Sequence, residues 1–188
     1  MLKTFLKKYG YYVLALSLVL IVGVTAGLSP SDKSNLPVED GSHQTSTEPV
    51  EMLCPLQSCE VLKWYSDTEL FYNATLKQWE SHKGVDLAST KSNDVLAALD
   101  GVVIDSGYSY ENGYCITIEH QDGLTTVYCS LNEGGLVKNG DSVLRGQKIG
   151  EVSSTASNEM AEGNHLHFQV MLNGKNVDPA NYITLENK

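Results

Sequence analysis

Three of the five histidines in this 188-residue chain stand in two short segments about eighty residues apart. His82-Lys83-Gly84-Val85-Asp86 offers an imidazole and a carboxylate. Gly163-Asn164-His165-Leu166-His167-Phe168-Gln169-Val170 offers two imidazoles separated by one apolar residue. Polar and apolar residues alternate in the second segment. It therefore reads as a strand with His165 and His167 on one face and Leu166, Phe168 and Val170 on the other. His82, Asp86 and His167 together supply two ring nitrogens and one carboxylate oxygen. Three such ligands suit one zinc ion with an open fourth position, where a bound water is acidified for attack on a carbonyl. Taken singly, each residue also reads as a half-buried strand histidine or a surface Asp; the pairing of the two segments favours metal.

The elements around these residues are short β-type runs between turn signals. Val102–Ile104, Tyr114–Glu119, Leu124–Tyr128, Lys148–Val152 and His165–Leu172 read as strands, punctuated by Asp122-Gly123, Asn139-Gly140 and Asn173-Gly174. A short helical turn is expected around Thr75–Glu80. Glu119 to Leu124 reads as a hairpin with a three-residue loop, Gly123 taking the left-handed conformation. That register puts His120, read as a solvated tip residue, opposite Leu124. It also sets Cys115 opposite Cys129, near disulfide distance. Cys54 and Cys59 form a second candidate pair. Zinc binding and buried free thiols stay open as alternatives for the cysteines. Asn73-Ala74-Thr75 matches a glycosylation sequon and is read as chance.

Both histidine segments, with Val95–Val103 and Gly140–Gly150 between them, resemble the paired motifs of the lysostaphin-type (LytM-like) zinc metallopeptidases, which cut peptide cross-links of bacterial cell walls. The resemblance covers roughly residues 60–183. It implies a mainly β, two-layer antiparallel domain with a groove across it, and one zinc on His82, Asp86 and His167. It also implies His165 beside the metal-bound water. Active members have a further Tyr-x-His-Leu motif. Here the stretch is Tyr128-Cys129-Ser130-Leu131, with Ser130 at the histidine's place. A hydroxyl does not replace an imidazole near neutral pH, and loss of such a group costs about 10²–10⁴ in rate. His120 lies six residues before Ser130 on the returning strand, roughly 20 Å away at 3.3 Å per residue, too far to substitute. Asn164 and Gln169 stand where the family usually has Pro and Glu. The lead-in Trp64–His82 is similar to the forespore-membrane branch of the family. That likeness implies a partner protein on the opposing membrane, within a channel-like sporulation complex.

Lys3, Lys7 and Lys8 precede an uncharged run from Tyr11 to Leu28. Eighteen helical residues span about 27 Å, enough to cross a bilayer. Basic residues on its amino-terminal side predict a cytoplasmic amino terminus and an exported remainder. The expected organisation is a basic tail 1–10, a membrane helix 11–28, a flexible linker 29–50 and a metallopeptidase-type domain 51–188. A cleaved signal peptide is the rival reading, with Val24-Thr25-Ala26 as the processing site. Fully extended, the linker reaches on the order of 70 Å. All 23 acidic residues lie beyond residue 28, and the chain's net charge is −10, which argues against nucleic acid as a ligand.

Two functions emerge: a zinc-holding, hydrolytically impaired contact domain, and a working endopeptidase on peptidoglycan. The anchor reading predicts that native protein sediments with membranes and keeps its first residues; a mature amino terminus at Gly27 in cell extracts would establish cleavage instead.

Overall fold

The computed structural model describes residues 51–185, so the expected basic tail, membrane helix and linker lie outside the described residues. Among the described residues, no helix is long and apolar enough to cross a membrane. The chain runs through β1 (Glu60–Lys63), β2 (Ser66–Asn73), β3 (Gln78–His82), β4 (Val85–Ala88), β5 (Asp94–Leu96) and β6 (Gly101–Ser109). It continues through β7 (Gly113–Glu119), β8 (Leu124–Leu131), β9 (Ser142–Val143), β10 (Lys148–Glu151), β11 (Leu166–Leu172) and β12 (Lys175–Val177). Eight strands form one antiparallel sheet in the order β1-β4-β11-β8-β7-β6-β9, with β12 also paired to β11. β5–β10 and β2–β3 are separate two-stranded sheets. The mainly β, antiparallel fold is as the sequence predicts.

Period-two alternation explains the core. Leu166, Phe168 and Val170 of β11 are fully buried, beside Val85 and Leu87 of β4, Tyr128 of β8 and Ile116 and Ile118 of β7. The rings of Tyr128 and Phe168 lie 5.2 Å apart. Each such side chain contributes about 1.5–3 kcal/mol on burial. Because these residues face inward, their neighbours Asp86 and His167 must share the other face.

The β7–β8 hairpin has the expected register, with Glu119 opposite Thr125 and Ile116 opposite Tyr128. Gly123 takes φ +74° in its loop. Cys115 and Cys129 are joined as a disulfide with Cα atoms 4.2 Å apart, and Cys54 is joined to Cys59. Beyond Cys129 the register shifts by one. Leu131 pairs with Tyr114, and Ser130 is the extra residue of a bulge with φ +62°.

Two expectations are corrected. Thr75–Glu80 is no helical turn: it is the tight end of the β2–β3 hairpin running into β3, stabilised by Asn73 Oδ1 accepting from the backbone N–H groups of Thr75 and Leu76. Asn73 is buried, and its amide donates to Glu80 and to the Asn158 carbonyl, so it acts as a latch. His120 is not solvated. Its Nδ1 donates to the Asp100 carbonyl at 2.8 Å, and its Nε2 meets the Thr126 hydroxyl at 2.7 Å. Thr126 in turn meets the Tyr128 hydroxyl, which accepts from Ala98 N–H. One direction of donation satisfies every group in this chain with His120 neutral.

Burial holds the His120 pKa below its usual value, against the pull of the Asp100 carbonyl. The unfolded chain therefore binds a proton that the folded one refuses. Its contribution to stability is lost as pH falls below about 6.5 and on through the folded-state pKa. His165 and His167, whose pKa values are raised, contribute with the opposite sign, so the test is a difference: between pH 7.5 and 5.5 the unmodified protein should lose more urea-unfolding stability, or gain less, than His120→Gln; equal changes in the two proteins refute the neutral assignment.

Candidate metal centre

Strand register brings the expected residues together. Lys63 of β1 lies opposite Asp86 of β4, Asp86 opposite His167 of β11, and His167 opposite Cys129 of β8. His82 closes β3, and the turn after it returns the chain as β4. That turn passes so close to β11 that a Cβ on Gly84 would sit 2.5 Å from the Phe168 carbonyl oxygen and 3.1 Å from His167 Nε2.

His82 Nε2 lies 3.2 Å from Asp86 Oδ1 and 3.3 Å from His167 Nδ1, while His167 Nδ1 lies 2.7 Å from Asp86 Oδ1. Three donor atoms from two segments about eighty residues apart thus converge on one point, and two nitrogens with one carboxylate oxygen are the donor chemistry of zinc. The fit extends to a fourth residue that carried no signal in the sequence. Glu159 joins His82, Asp86 and His167 in one group of candidate ligands, with an oxygen 3.9 Å from His82 Nε2 and another 3.7 Å from His167 Nδ1. Exposure is 5 % for His82, 0 % for Asp86, 6 % for Glu159 and 8 % for His167.

His165 is fully buried and stands to one side. Its Nδ1 lies 3.0 Å from the Gly163 carbonyl, which only accepts, and its Nε2 lies 3.3 Å from Glu159 Oε2. Both nitrogens face acceptors, an arrangement that favours the protonated ring. Burial opposes that charge, but the Glu159 hydrogen bond and the nearby Asp86 outweigh it and raise the pKa. Ser130 is also buried, and its hydroxyl donates to the Ser153 carbonyl at 2.9 Å.

Lys63, likewise unsuspected from the sequence, is the cation of the cluster. Its Nζ lies 2.6 Å from Glu162, 3.3 Å from Asp86 Oδ2 and 3.5 Å from Glu159 Oε1. Burial lowers its affinity for a proton, yet the Glu162 hydrogen bond and the carboxylate charges prevail and raise it. Asp86 shows the complementary balance. Burial pushes its carboxyl up, but the hydrogen bond from His167 and the His82 ring beside it hold it well below the usual carboxylate range.

The two metal-facing imidazoles are prepared differently. His82 Nδ1 donates to the Trp64 carbonyl at 2.9 Å, leaving the Nε2 lone pair pointed at the convergence. His167 has the opposite arrangement. The Lys83 carbonyl accepts from Asn176 Nδ2, the same amide nitrogen donates to Gln169 Oε1, and Gln169 Nε2 therefore donates to His167 Nε2 at 2.9 Å. That assigns the His167 proton to Nδ1, directed at Asp86. Metal binding through Nδ1 must displace this proton and turn the Gln169 amide.

Comparison with known proteins bears on what this centre is. The family model described as Peptidase family M23 matches residues 80–179. Stage II sporulation protein Q of Bacillus subtilis (strain 168) is 39 % identical over 114 residues, covering 60 % of this chain and 38 % of that protein. The chain thus spans less than two-fifths of this relative's length. A solved structure of the SpoIIQ–SpoIIIAH pore-forming complex contains a chain that superposes with a TM-score of 0.62 at 30 % identity, over 71 % of this chain and 91 % of that one. The catalytic domain of the antimicrobial peptidase lysostaphin from Staphylococcus simulans superposes with a TM-score of 0.53 at 30 % identity, over 65 % and 90 %.

Gln169→Glu replaces the donor to His167 Nε2 with an acceptor and should favour the metal-binding tautomer. Zinc affinity, measured by competition with a chromophoric chelator, should rise by about 10–100-fold; equal affinity in the two proteins counts against the tautomer assignment.

Proposed function

The chain belongs to peptidase family M23, and on that premise we propose that it is a membrane-anchored, exported domain that holds zinc and contacts a partner protein, with hydrolysis absent or weak. Zinc, one ion, is assigned to His82, Asp86 and His167. When bound in such a site with an open position, zinc acidifies water and polarises carbonyls. The residues around it do not complete that chemistry. The observation that carries the reading is Ser130. It occupies the place of the family's third histidine, and its hydroxyl is committed to the Ser153 carbonyl. His165 supports the same reading. Its two ring nitrogens are engaged by the Gly163 carbonyl and the Glu159 carboxylate rather than turned toward a water.

The partner reading draws on relatives that form a SpoIIQ–SpoIIIAH complex and on this chain's own surface. We assign residues 11–28 as the anchor, 29–50 as the tether and 51–188 as the domain, reaching a membrane protein across the intermembrane space of a sporulating cell. The β2–β3 hairpin presents Tyr72 and Trp79, a cross-strand pair with ring centroids 5.5 Å apart, Trp79 being 66 % exposed. Aromatic side chains of this kind are enriched at protein contacts. The second reading, an endopeptidase on peptidoglycan cross-links, keeps the same ligands and rests on the similarity to lysostaphin.

The full-length protein, purified in detergent and loaded with zinc, should release little or no fragment from cross-linked wall. Ser130→His is compatible with the bulge, because histidine is among the residues that accept positive φ. If the absent imidazole is the main defect, the substitution should raise cleavage by about 10² or more. Robust cleavage by the unmodified protein, abolished by His165→Ala, would make it an enzyme.

A further inference from the structure

Glu159 touches the candidate metal centre, yet the family resemblance gives it no role. It reaches the centre from an irregular stretch. The backbone turns at Ala156, whose carbonyl accepts from Glu159 N–H, and passes through a 3₁₀ turn at Met160–Glu162. The stretch is fastened from outside. Asn73 donates to the Asn158 carbonyl, Asn158 N–H donates to the Glu111 carbonyl, and Ala161 N–H donates to the Thr75 hydroxyl. The carboxylate is also oriented on both sides, with Lys63 Nζ 3.5 Å from Oε1 and His165 Nε2 3.3 Å from Oε2. A long acidic side chain is thus buried and held in place against two imidazole nitrogens, although burial of a charge is costly unless something gains from its position.

Distances among the donor atoms indicate what gains. Four ligands on a tetrahedral zinc with bonds of about 2.0 Å lie about 3.3 Å from one another. The three established edges here are 2.7, 3.2 and 3.3 Å. Glu159 faces the same point with both oxygens, Oε2 3.7 Å from His167 Nδ1 and Oε1 3.9 Å from His82 Nε2. One carboxylate oxygen is thus within reach of the fourth position, and a small rotation of the Glu159 side chain would bring it to a ligand's distance.

We infer that Glu159 is a fourth zinc ligand, filling the position that a catalytic zinc leaves to water and turning the centre into a closed, structural site. The inference rests on the zinc-holding reading above and deepens it. It adds a barrier to hydrolysis separate from Ser130, since a carboxylate in the fourth position leaves no metal-bound water to act as nucleophile. His165 then serves as a positioning residue, donating to the carboxylate it orients.

The test uses the full-length protein in detergent, with Zn²⁺ for affinity and Co²⁺ as a spectroscopic probe. Glu159→Gln should weaken Zn²⁺ binding by roughly 100-fold or more, beyond the 10–100-fold typical of a lost outer partner, whereas Glu162→Gln should cost less than about tenfold. The visible spectrum of the Co²⁺-loaded unmodified protein should not change between pH 6 and 9. Glu159→Gln should acquire a pH-dependent step as the incoming water ionises. Glu159→Asp keeps the charge between Lys63 and His165 but withdraws the oxygens by one carbon, and should show the same step if Glu159→Gln does not fold. A step already present in the unmodified protein, with Zn²⁺ affinity within threefold in both variants, overturns the closed site and leaves the zinc-holding reading intact. Failure of the unmodified protein to take up either ion overturns both.

Discussion

The Asp86 carboxylate is the group around which the centre is built. It has no exposure, and an isolated charge in that position would cost several kcal/mol. Lys63, His82 and His167 make it tolerable, each brought in by a different part of the chain. Three of these four lie in one row across β1, β4 and β11, and Cys129 and the disulfide to Cys115 continue the row through β8 to β7. Register and chemistry are therefore one constraint. A slip of one residue in β11 would turn His167 into the core and bring Leu166 and Phe168 out against Asp86. The apolar face that drives folding also aims the imidazole.

The polar groups around the candidate centre are each committed to a neighbour. Ser130 donates to Ser153, both His165 nitrogens face acceptors, and Gln169 presents an N–H to His167 Nε2. Each commitment is local, and each involves a different neighbour. On the proposed reading, the convergence of His82, Asp86 and His167 is kept while the polar groups around it hold the fold.

Much of this was legible in the sequence because it follows from period two. Alternation in His165–Val170 placed His167 opposite the core residues, and the Asp122-Gly123 turn fixed the register that sets Cys115 against Cys129. The rest depends on contacts that no local pattern encodes. Lys63 reaches Asp86 only through the pairing of β1 with β4, and a bulge between Val61 and Lys63 sets its register. Glu159 lies in an aperiodic loop whose course is fixed by Asn73 and Thr75, more than eighty residues earlier. His120 looked solvated because hairpin tips usually are; the Asp100 carbonyl and the Thr126 hydroxyl supply partners that the turn alone does not reveal. Thr75–Glu80 lacks a clear alternation, and its turn is set by the Asn73 side chain rather than by helix propensity.

Among the described residues, the β2–β3 hairpin forms its own two-stranded sheet beside the main sheet. Yet it carries His82 at its end and, through Asn73 and Thr75, suspends the loop that bears Glu159. Asp86 and His167 belong to the main sheet. The proposed ion, shared by these four side chains, would add a cross-link between the hairpin and the main sheet, restricting chain freedom much as a disulfide does. The ridge of Tyr72 and Trp79 rides on the hairpin side of that link. By thermodynamic reciprocity, any partner that requires the ridge in its fastened position tightens the hold on the ion, and the ion tightens the hold on the partner. On the proposed reading, the affinity of a protein–protein contact on this face would vary with free zinc.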